Sequence, residues 1–154
     1  MHALVFASTL CAAAMAGEAI AAGKGAKATM RALKQPSWAL PVVGWYVLGL
    51  LYYVVCWFVL YRVSNSALLN SMRKESLALM IAIMTANVCW NFIFLRHRRL
   101  ALGFWYLLPY TFFVLVLLSM LARIDRQSEL VFLAYVAYIP YAIGQTFRVW
   151  RLNA

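Results

Sequence analysis

The chain has 154 residues, of which 66% are hydrophobic and 12% are charged, and its mean hydropathy is +0.80. Soluble domains are roughly 45–50% apolar and about 25% charged, so this composition excludes an ordinary soluble protein and indicates a membrane protein. The net charge of +10 could suit nucleic acid, but the basic residues stand at the ends of apolar spans, a pattern typical of membrane topology signals. We therefore expect membrane lipid and no nucleic acid among its partners.

Long uncharged intervals predict the membrane-spanning helices. A helix needs about 20 residues to cross a hydrocarbon layer of about 30 Å. Four intervals between consecutive charges have a suitable length: 27 residues after Lys34, 20 after Glu75, 23 after Arg99 and 18 after Glu129. With the alanine-rich N-terminal stretch they predict an all-α membrane protein, a single domain over residues 1–154. Its five transmembrane helices are predicted at about 3–22, 38–61, 76–95, 100–122 and 130–150, with a basic loop at 23–37.

The first predicted helix has an alternative interpretation. Ala3–Ala16 is about as long as the core of a signal peptide, and Ala14 and Ala16 could supply a cleavage site. Only Met1 and His2 precede it, and neither is Lys or Arg. We interpret the stretch as a transmembrane helix, with Glu18 near its end.

The distribution of basic residues predicts the orientation. Nine lie on the side of the first loop, the third loop and the C-terminus, and five lie on the other side. The positive-inside rule then places the N-terminus outside and the C-terminus inside, if the protein lies in an inner membrane. The run Arg96–Arg99, "RHRR", is interpreted as an anchoring loop, with a phosphate or lipid-headgroup site as the alternative.

Residues suited to catalysis or metal binding are scarce. His2 and His97 lie outside the spans, and spans two to five contain no acidic residue, which proton relays and ion-coupled transport usually need. Cys11, Cys56 and Cys89 are widely spaced in apolar sequence, as expected of buried thiols. We predict neither an enzyme nor a metal site.

Two of the spans carry polar and aromatic faces. In the third, Asn87 and Trp90 are three residues apart and share a face, with Asn91 one step round. An asparagine in hydrocarbon needs a partner, so these amides should point into the bundle, either joining helices or contacting a ligand in an aromatic cavity.

The fifth span carries tyrosines at helical spacing. Tyr135, Tyr138 and, less closely, Tyr141 and Gln145 follow one face, which indicates either packing or the wall of a binding site. Pro140 removes a backbone donor there and should kink the helix unless its neighbours compensate.

Three motifs resemble the translocator protein family, also called TspO/MBR or tryptophan-rich sensory proteins. "LKQPSWALP" is similar to the family's "L-x-K-P-x-W-x-P-P", with Pro36, Trp38 and Pro41 in place, and Tyr53 stands at the family's "LY". "ANVCWNFIF" is similar to "LNxxWSxxFF", through Asn87, Trp90 and Phe94. The segment "AYVAYIPYAIGQTFRVWRLN" follows "PYxxWxxFAxxLNYxxWRxN", with identities at Tyr135, Ala142, Trp150, Arg151 and Asn153 and with Tyr138 and Tyr141 replacing Trp and Phe.

The chain also departs from the family pattern. Thr29 and Met30 replace its "WY", Leu40 replaces a proline, and Gly49 stands where a tryptophan is usual. Further replacements are Ala134, Gln145 and Thr146, and Gln145 and Phe147 stand where vertebrate members have the Leu and Tyr of a sterol pattern. The resemblance therefore indicates a divergent, bacterial-type member and does not extend to sterol binding.

The resemblance implies a five-helix bundle, often dimeric, with a cavity that opens toward the first loop and binds porphyrins or related hydrophobic ligands. No cofactor is required, and the implied role is sensing, regulation or transport. The alternative is a TspO-like bundle without ligand that serves as a structural subunit of a larger membrane complex. The candidate ligand-binding residues are Trp38, Pro41, Trp45, Tyr53, Asn87, Trp90, Tyr138, Tyr141 and Ala142.

Overall fold

A computed structural model of the protein describes residues 2–66 and 70–154. Within these ranges the chain forms helices and no strand. The helices are α1 (His2–Ala22), α2 (Ala26–Ala32), α3 (Val42–Asn65), α4 (Asn70–Asn91), α5 (Leu100–Ile124) and α6 (Arg126–Leu152), and a π-helical segment, Phe92–Arg96, continues α4. All except α2 are long and apolar enough to span a membrane, α4 together with its π-helical segment, which confirms the predicted five-helix bundle.

The helix boundaries differ from the predicted ones for identifiable reasons. α3 begins at Val42 rather than 38, because Pro41 caps it in an extended conformation and restrains Leu40 before it. α4 begins at Asn70 and α6 at Arg126, so both helices extend past the charges that bound their apolar intervals. The basic loop is partly helical, since it contains α2.

The five long helices form a closed ring. α1 packs between α3 and α4, α6 packs between α3 and α5, and α4 contacts α5. The centre of the ring is apolar, and its largest fully buried side chains include Leu60, Met80, Ile83, Leu117 and Phe132. The outer faces of α3 and α5 are apolar as well, with Val43, Tyr46, Leu50, Trp105 and Phe112 more than half exposed. A soluble protein rarely exposes such a surface, whereas a lipid bilayer covers it.

A single residue, Asp125, joins α5 to α6. Its carboxylate accepts from the Ser128 backbone N–H at 3.0 Å and from the Ser128 hydroxyl at 2.6 Å, which caps α6. Arg62 of α3 donates to both carboxylate oxygens, at 3.0 and 2.6 Å. The Arg62 guanidinium, followed by the Ser128 hydrogen bonds, holds the pKa of Asp125 well below its usual range. This residue therefore links α3, α5 and α6 at one end of the bundle.

Candidate functional site

Three aromatic side chains meet at the other end of the α3–α6 contact, and we call Trp38, Trp45 and Tyr141 the aromatic mouth. Trp38 lies edge-on to Tyr141 with ring centroids 5.5 Å apart at 72°, and Trp45 lies 6.3 Å from the same tyrosine at 39°. The Tyr141 hydroxyl accepts a hydrogen bond from the Leu40 backbone N–H at 3.0 Å. One tyrosine of α6 thus holds both the loop before α3 and the first turn of α3.

The chain before α3 places Trp38 at the mouth. Pro36 and Pro41 limit the backbone on either side, and the Ala39 N–H donates to the Pro36 carbonyl at 3.0 Å, which closes a tight turn. Trp38 remains 47% exposed. A methyl group at Gly144 would lie 3.8 Å from the Trp38 ring, so the indole rests on the α6 backbone with one side open.

A column of tyrosines runs from the mouth into the bundle. Tyr138 lies 5.7 Å from Tyr141 and 6.4 Å from Tyr135, whose ring is 5.0 Å from that of Tyr52 on α3. The Tyr135 hydroxyl pairs with that of Tyr110 on α5 at 2.5 Å. We call Tyr52, Tyr110, Tyr135 and Tyr138 the tyrosine column.

The structure brings the remaining mouth candidates close to these rings. Pro41 is exposed and caps α3, and its carbonyl accepts from the Trp45 N–H at 3.3 Å. Ala142 follows Tyr141 on α6 and is half-buried. Six of the predicted ligand residues therefore lie at or beside the mouth: Trp38, Pro41, Trp45, Tyr138, Tyr141 and Ala142.

Gln145 is part of the same region; the sequence placed it on the tyrosine face of the fifth span, but it was not among the candidate ligand-binding residues. It is buried, at 4% exposure, and its amide nitrogen donates to the Gln35 side-chain oxygen at 3.3 Å. Its own amide oxygen has no hydrogen-bond partner among the described residues. The signal that could have found it is a glutamine inside an apolar span, one turn after Tyr141.

Asn87 lies on a different face of the ring, between α1 and α4. Its side-chain nitrogen donates to the Glu18 carboxylate of α1, and its backbone carbonyl accepts from the Asn91 side chain at 3.0 Å. The predicted inward orientation of Asn87 is confirmed, and its partner is another helix. Glu18 was not predicted to be this partner, although a lone carboxylate in an apolar helix signals a polar partner across the bundle.

Trp90 and Tyr53 are also separate from the mouth. The Trp90 indole N–H donates to the Gly103 carbonyl of α5 at 3.1 Å, and its ring stacks on Phe94 at 4.6 Å. Tyr53 is only 5% exposed and faces α1, where the Cys11 thiol donates to its carbonyl at 3.9 Å. Both side chains are engaged in packing between helices.

The basic side chains of the first loop lie on the same side of the bundle as the mouth. Lys27 and Arg31 are on α2 and Lys34 follows it, and all three are exposed. The Lys34 backbone is tied to the side chain of Asn153 at 3.0 Å in both directions, which joins this loop to the end of α6. Flat aromatic surface and exposed cations are thus combined at one end of the molecule.

The cysteines and histidines show no arrangement for metal binding. Among the residues that the structure describes, no three His, Cys, Asp or Glu side chains are grouped. Cys11 and Cys56 are buried as predicted, but Cys89 is exposed on α4, so the prediction of three buried thiols is wrong for that residue. Cys89 itself lies on the outer face of α4, where lipid rather than protein covers it, while its neighbour Trp90 packs against α5.

Comparison with known proteins gives two matches. Residues 6–151 match the model of the TspO/MBR family. Protein CrtK of Rhodobacter capsulatus is 32% identical over 129 residues, which cover 79% of this chain and 76% of CrtK.

Proposed function

Because this chain belongs to the TspO/MBR family, we propose that it binds a porphyrin or a related planar tetrapyrrole at the aromatic mouth, in a sensing, regulatory or transport role. The observation that carries the proposal is the half-exposed Trp38, held between two prolines and edge-on to Tyr141. An indole in this position has an apolar face for a flat ring and a side open to the membrane interface.

Ligand binding requires the mouth to open. Trp38 is attached to α6 through ring contacts and through the hydrogen bond from Leu40 to Tyr141, and neither contact is buried. We propose that the loop before α3 swings aside and that the ring of the ligand replaces the Trp38–Tyr141 contact with stacking on both residues. Aromatic pairs add about 0.5–1.5 kcal/mol beyond burial, so a few such contacts compensate for those that are broken.

Polar groups around the mouth suit the rest of a tetrapyrrole. The Gln145 amide oxygen is a buried acceptor that lacks a partner among the described residues, and a pyrrole N–H could donate to it. Lys27, Arg31 and Lys34 could meet the ligand's carboxylates, since charge-assisted pairs with ammonium and guanidinium groups are strong.

We also propose the orientation given by the basic residues, with the mouth and the C-terminus on the cytoplasmic side of an inner membrane. A reporter fused after Ala154 should then be cytoplasmic. A periplasmic reporter would contradict the proposed orientation.

The test of the mouth is the release of protoporphyrin from Trp38→Ala. Loss of the indole should speed release while association stays nearly constant, because most affinity changes appear in the off-rate. Stopped-flow measurement of the porphyrin's own fluorescence avoids interference from the loss of one of six tryptophans. The matched control is Trp105→Ala, which removes a 57% exposed tryptophan from the outer face of α5. Equal release rates for the parent and both variants would contradict protoporphyrin binding at the aromatic mouth.

The basic residues are tested by Lys27→Gln/Arg31→Gln. This variant should bind protoporphyrin more weakly at low salt, and the difference should shrink at high salt, because exposed charges are screened over about 8 Å at physiological ionic strength. Lys74→Gln/Arg123→Gln removes two exposed charges from the opposite side and should behave as the parent. An equal effect of both double variants would indicate a general charge effect.

One observation favours the alternative of a structural subunit. A methyl group built at Gly49 would meet no atom within 4 Å, so α3 presents a small residue on an open face where a helix of another protein could approach. Purification from the native membrane separates the two functions. Co-purifying pigment with a Soret band supports ligand binding, whereas pigment-free protein with partner subunits supports the structural role.

A further inference from the structure

A cleft of about 780 Å³ lies apart from the aromatic mouth, between the end of α1, α2 and the π-helical segment. Its walls come from Ala19, Ile20, Ala22, Gly23, Lys24, Gly25, Thr29, Leu95, Arg96 and Arg98. Three of these side chains are basic, and none of the described lining residues is acidic.

Hydrogen bonds hold the two arginines at the edge of the cleft. Arg96 donates to the Ile20 carbonyl at the end of α1 at 3.3 Å, and Arg98 donates to the Thr29 hydroxyl of α2 at 3.2 Å. Arg98 has a φ of 51°, a left-handed conformation that is uncommon for residues other than glycine. Each guanidinium has five N–H donors, so both retain donors for an anion after these bonds are made.

The rest of the cleft lining is largely apolar. It includes Ala19, Ile20 and Ala22 on the last turn of α1 and Leu95 of the π-helical segment. Ile20 is 72% exposed, so this part of the lining is continuous with the lipid-facing surface of α1. The cleft therefore has a cationic edge at the membrane interface and an apolar side directed toward the hydrocarbon.

None of the acidic side chains that the structure describes lines this edge. Glu18 on α1 is the nearest in the chain, and its carboxylate accepts a hydrogen bond from Asn87. The ion pairs that the described residues form are Arg62–Asp125 and Arg126–Glu129, and both lie at the other end of the bundle. Lys27 on α2 and Arg99 after the cleft add positive charge nearby. The charged side chains that line the cleft are thus all basic, which favours an anion there.

We propose that this cleft binds an anionic phospholipid, with the headgroup phosphate at the basic edge and the first carbons of an acyl chain along the apolar lining. Guanidinium groups pair with phosphate through two parallel N–H donors. Basic pockets between transmembrane helices on the cytoplasmic side are suited to such headgroups. The apolar lining next to the basic edge favours a lipid over free phosphate, because free phosphate would contact the basic edge alone.

The experiment compares phosphatidylglycerol with phosphatidylcholine of the same acyl chains, added to the detergent-purified full chain. Native mass spectrometry measures the lipid retained, and thermal unfolding measures the stabilisation that it gives. We expect retention of phosphatidylglycerol and a higher unfolding midpoint. Arg96→Gln/Arg98→Gln should weaken binding about thirtyfold, because each basic residue near an anionic lipid contributes about 1 kcal/mol.

Two further variants control for fold and for charge. Arg96→Lys/Arg98→Lys keeps the charge but loses the planar donor pair, so it should bind with intermediate affinity even if the glutamine variant folds poorly. Lys74→Gln/Arg123→Gln removes the same charge from the opposite side and should bind as the parent does.

Four results would overturn the proposal. Equal retention of phosphatidylcholine would indicate unspecific lipid binding. Equal losses of affinity in both double glutamine variants would indicate a general effect of the protein's charge. The same stabilisation by inorganic phosphate alone would identify free phosphate as the ligand. A loss of protoporphyrin binding in Arg96→Gln/Arg98→Gln, with phosphatidylglycerol retained, would assign the cleft to the porphyrin carboxylates.

Discussion

The α4–α5 contact and the α3–α6 contact both use aromatic side chains, but they use them differently. Between α4 and α5, each helix donates to the backbone of the other: Trp90 donates to the Gly103 carbonyl and Tyr106 to the Ala86 carbonyl, each at 3.1 Å. A methyl group at Gly103 would lie 2.6 Å from Phe94, so the two helices are as close as their residues permit. Such contacts hold the two helices in one register.

The α3–α6 contact relies on side chains that meet other side chains. Arg62 pairs with Asp125 at one end, the rings of Tyr52 and Tyr135 pack in the middle, and Trp45 contacts Tyr141 at the other end. In a pair of side chains both partners can change rotamer without movement of a helix, whereas a backbone carbonyl is fixed by its helix and only the donor side chain can move. The α3–α6 contact is therefore the better place for a site that must open.

Trp90→Ala should show the largest effect on stability. The change removes a packed ring and its bond to Gly103, and truncation of a large aromatic residue typically costs about 3–5 kcal/mol. We expect about 3 kcal/mol here because Trp90 is half-buried. The measurement is thermal unfolding in detergent, together with the affinity of the folded protein for protoporphyrin.

The affinity of Trp90→Ala should stay within a few-fold of the parent, in contrast with Trp38→Ala. A large loss of affinity with little loss of stability would place Trp90 in the ligand site and end the distinction between the two contacts.

Tyr135→Phe should show a smaller effect. The change leaves the Tyr110 hydroxyl buried without its partner, which typically costs about 1–3 kcal/mol. Adding Tyr110→Phe removes the second hydroxyl, so the double variant should lose less stability than the sum of the two single variants. Unfolding midpoints of all four proteins give the coupling. Additive losses of stability would contradict the hydrogen bond between Tyr110 and Tyr135.

Asp125→Asn should show the smallest effect, and one that depends on pH. The Asp125 pKa is lowered in the folded protein, so the carboxylate contributes stability above its unfolded pKa of about 3.9. This contribution is lost as the pH falls from there toward the folded pKa. The pair with Arg62 is partly exposed and contributes modestly.

The difference in unfolding midpoint between the parent and Asp125→Asn should be constant from about pH 7 to 5 and should shrink below about pH 4. A difference that persists at low pH would mean that the carboxylate charge is not its cause. Capping would not explain it either, since asparagine is itself a good N-cap.

The five spans were predictable because a membrane imposes a minimum apolar length, and charges mark where it ends. The same rule misplaces helix ends. Arg73, Lys74 and Glu75 lie within α4, because charged residues outside the hydrocarbon can continue a helix into water. The short helix α2 was not predicted, since no apolar interval signals it.

Helical periodicity alone could not show that Asn87 and Trp90 contact different neighbouring helices. Asn87 and Trp90 are three positions apart and so differ by about 60° around the helix axis. α4 packs between α1 and α5, so this small difference directs Asn87 to Glu18 on one neighbour and Trp90 to Gly103 on the other. Which neighbour a residue faces depends on the order of helices in the ring, which a single sequence does not contain.

The single-residue connection at Asp125 has a consequence for biogenesis. We expect α5 and α6 to enter the bilayer together as a hairpin, because a connection of one residue is too short for one helix to insert while the other stays outside. In the proposed orientation the tip of this hairpin crosses the membrane during insertion. It carries Arg123 and Arg126 against Asp125 and Glu129, a net formal charge of zero. Arg126 and Glu129 form an ion pair at 2.6 Å within α6. The hairpin can therefore neutralise two of its charges by itself, before Arg62 of α3 pairs with Asp125.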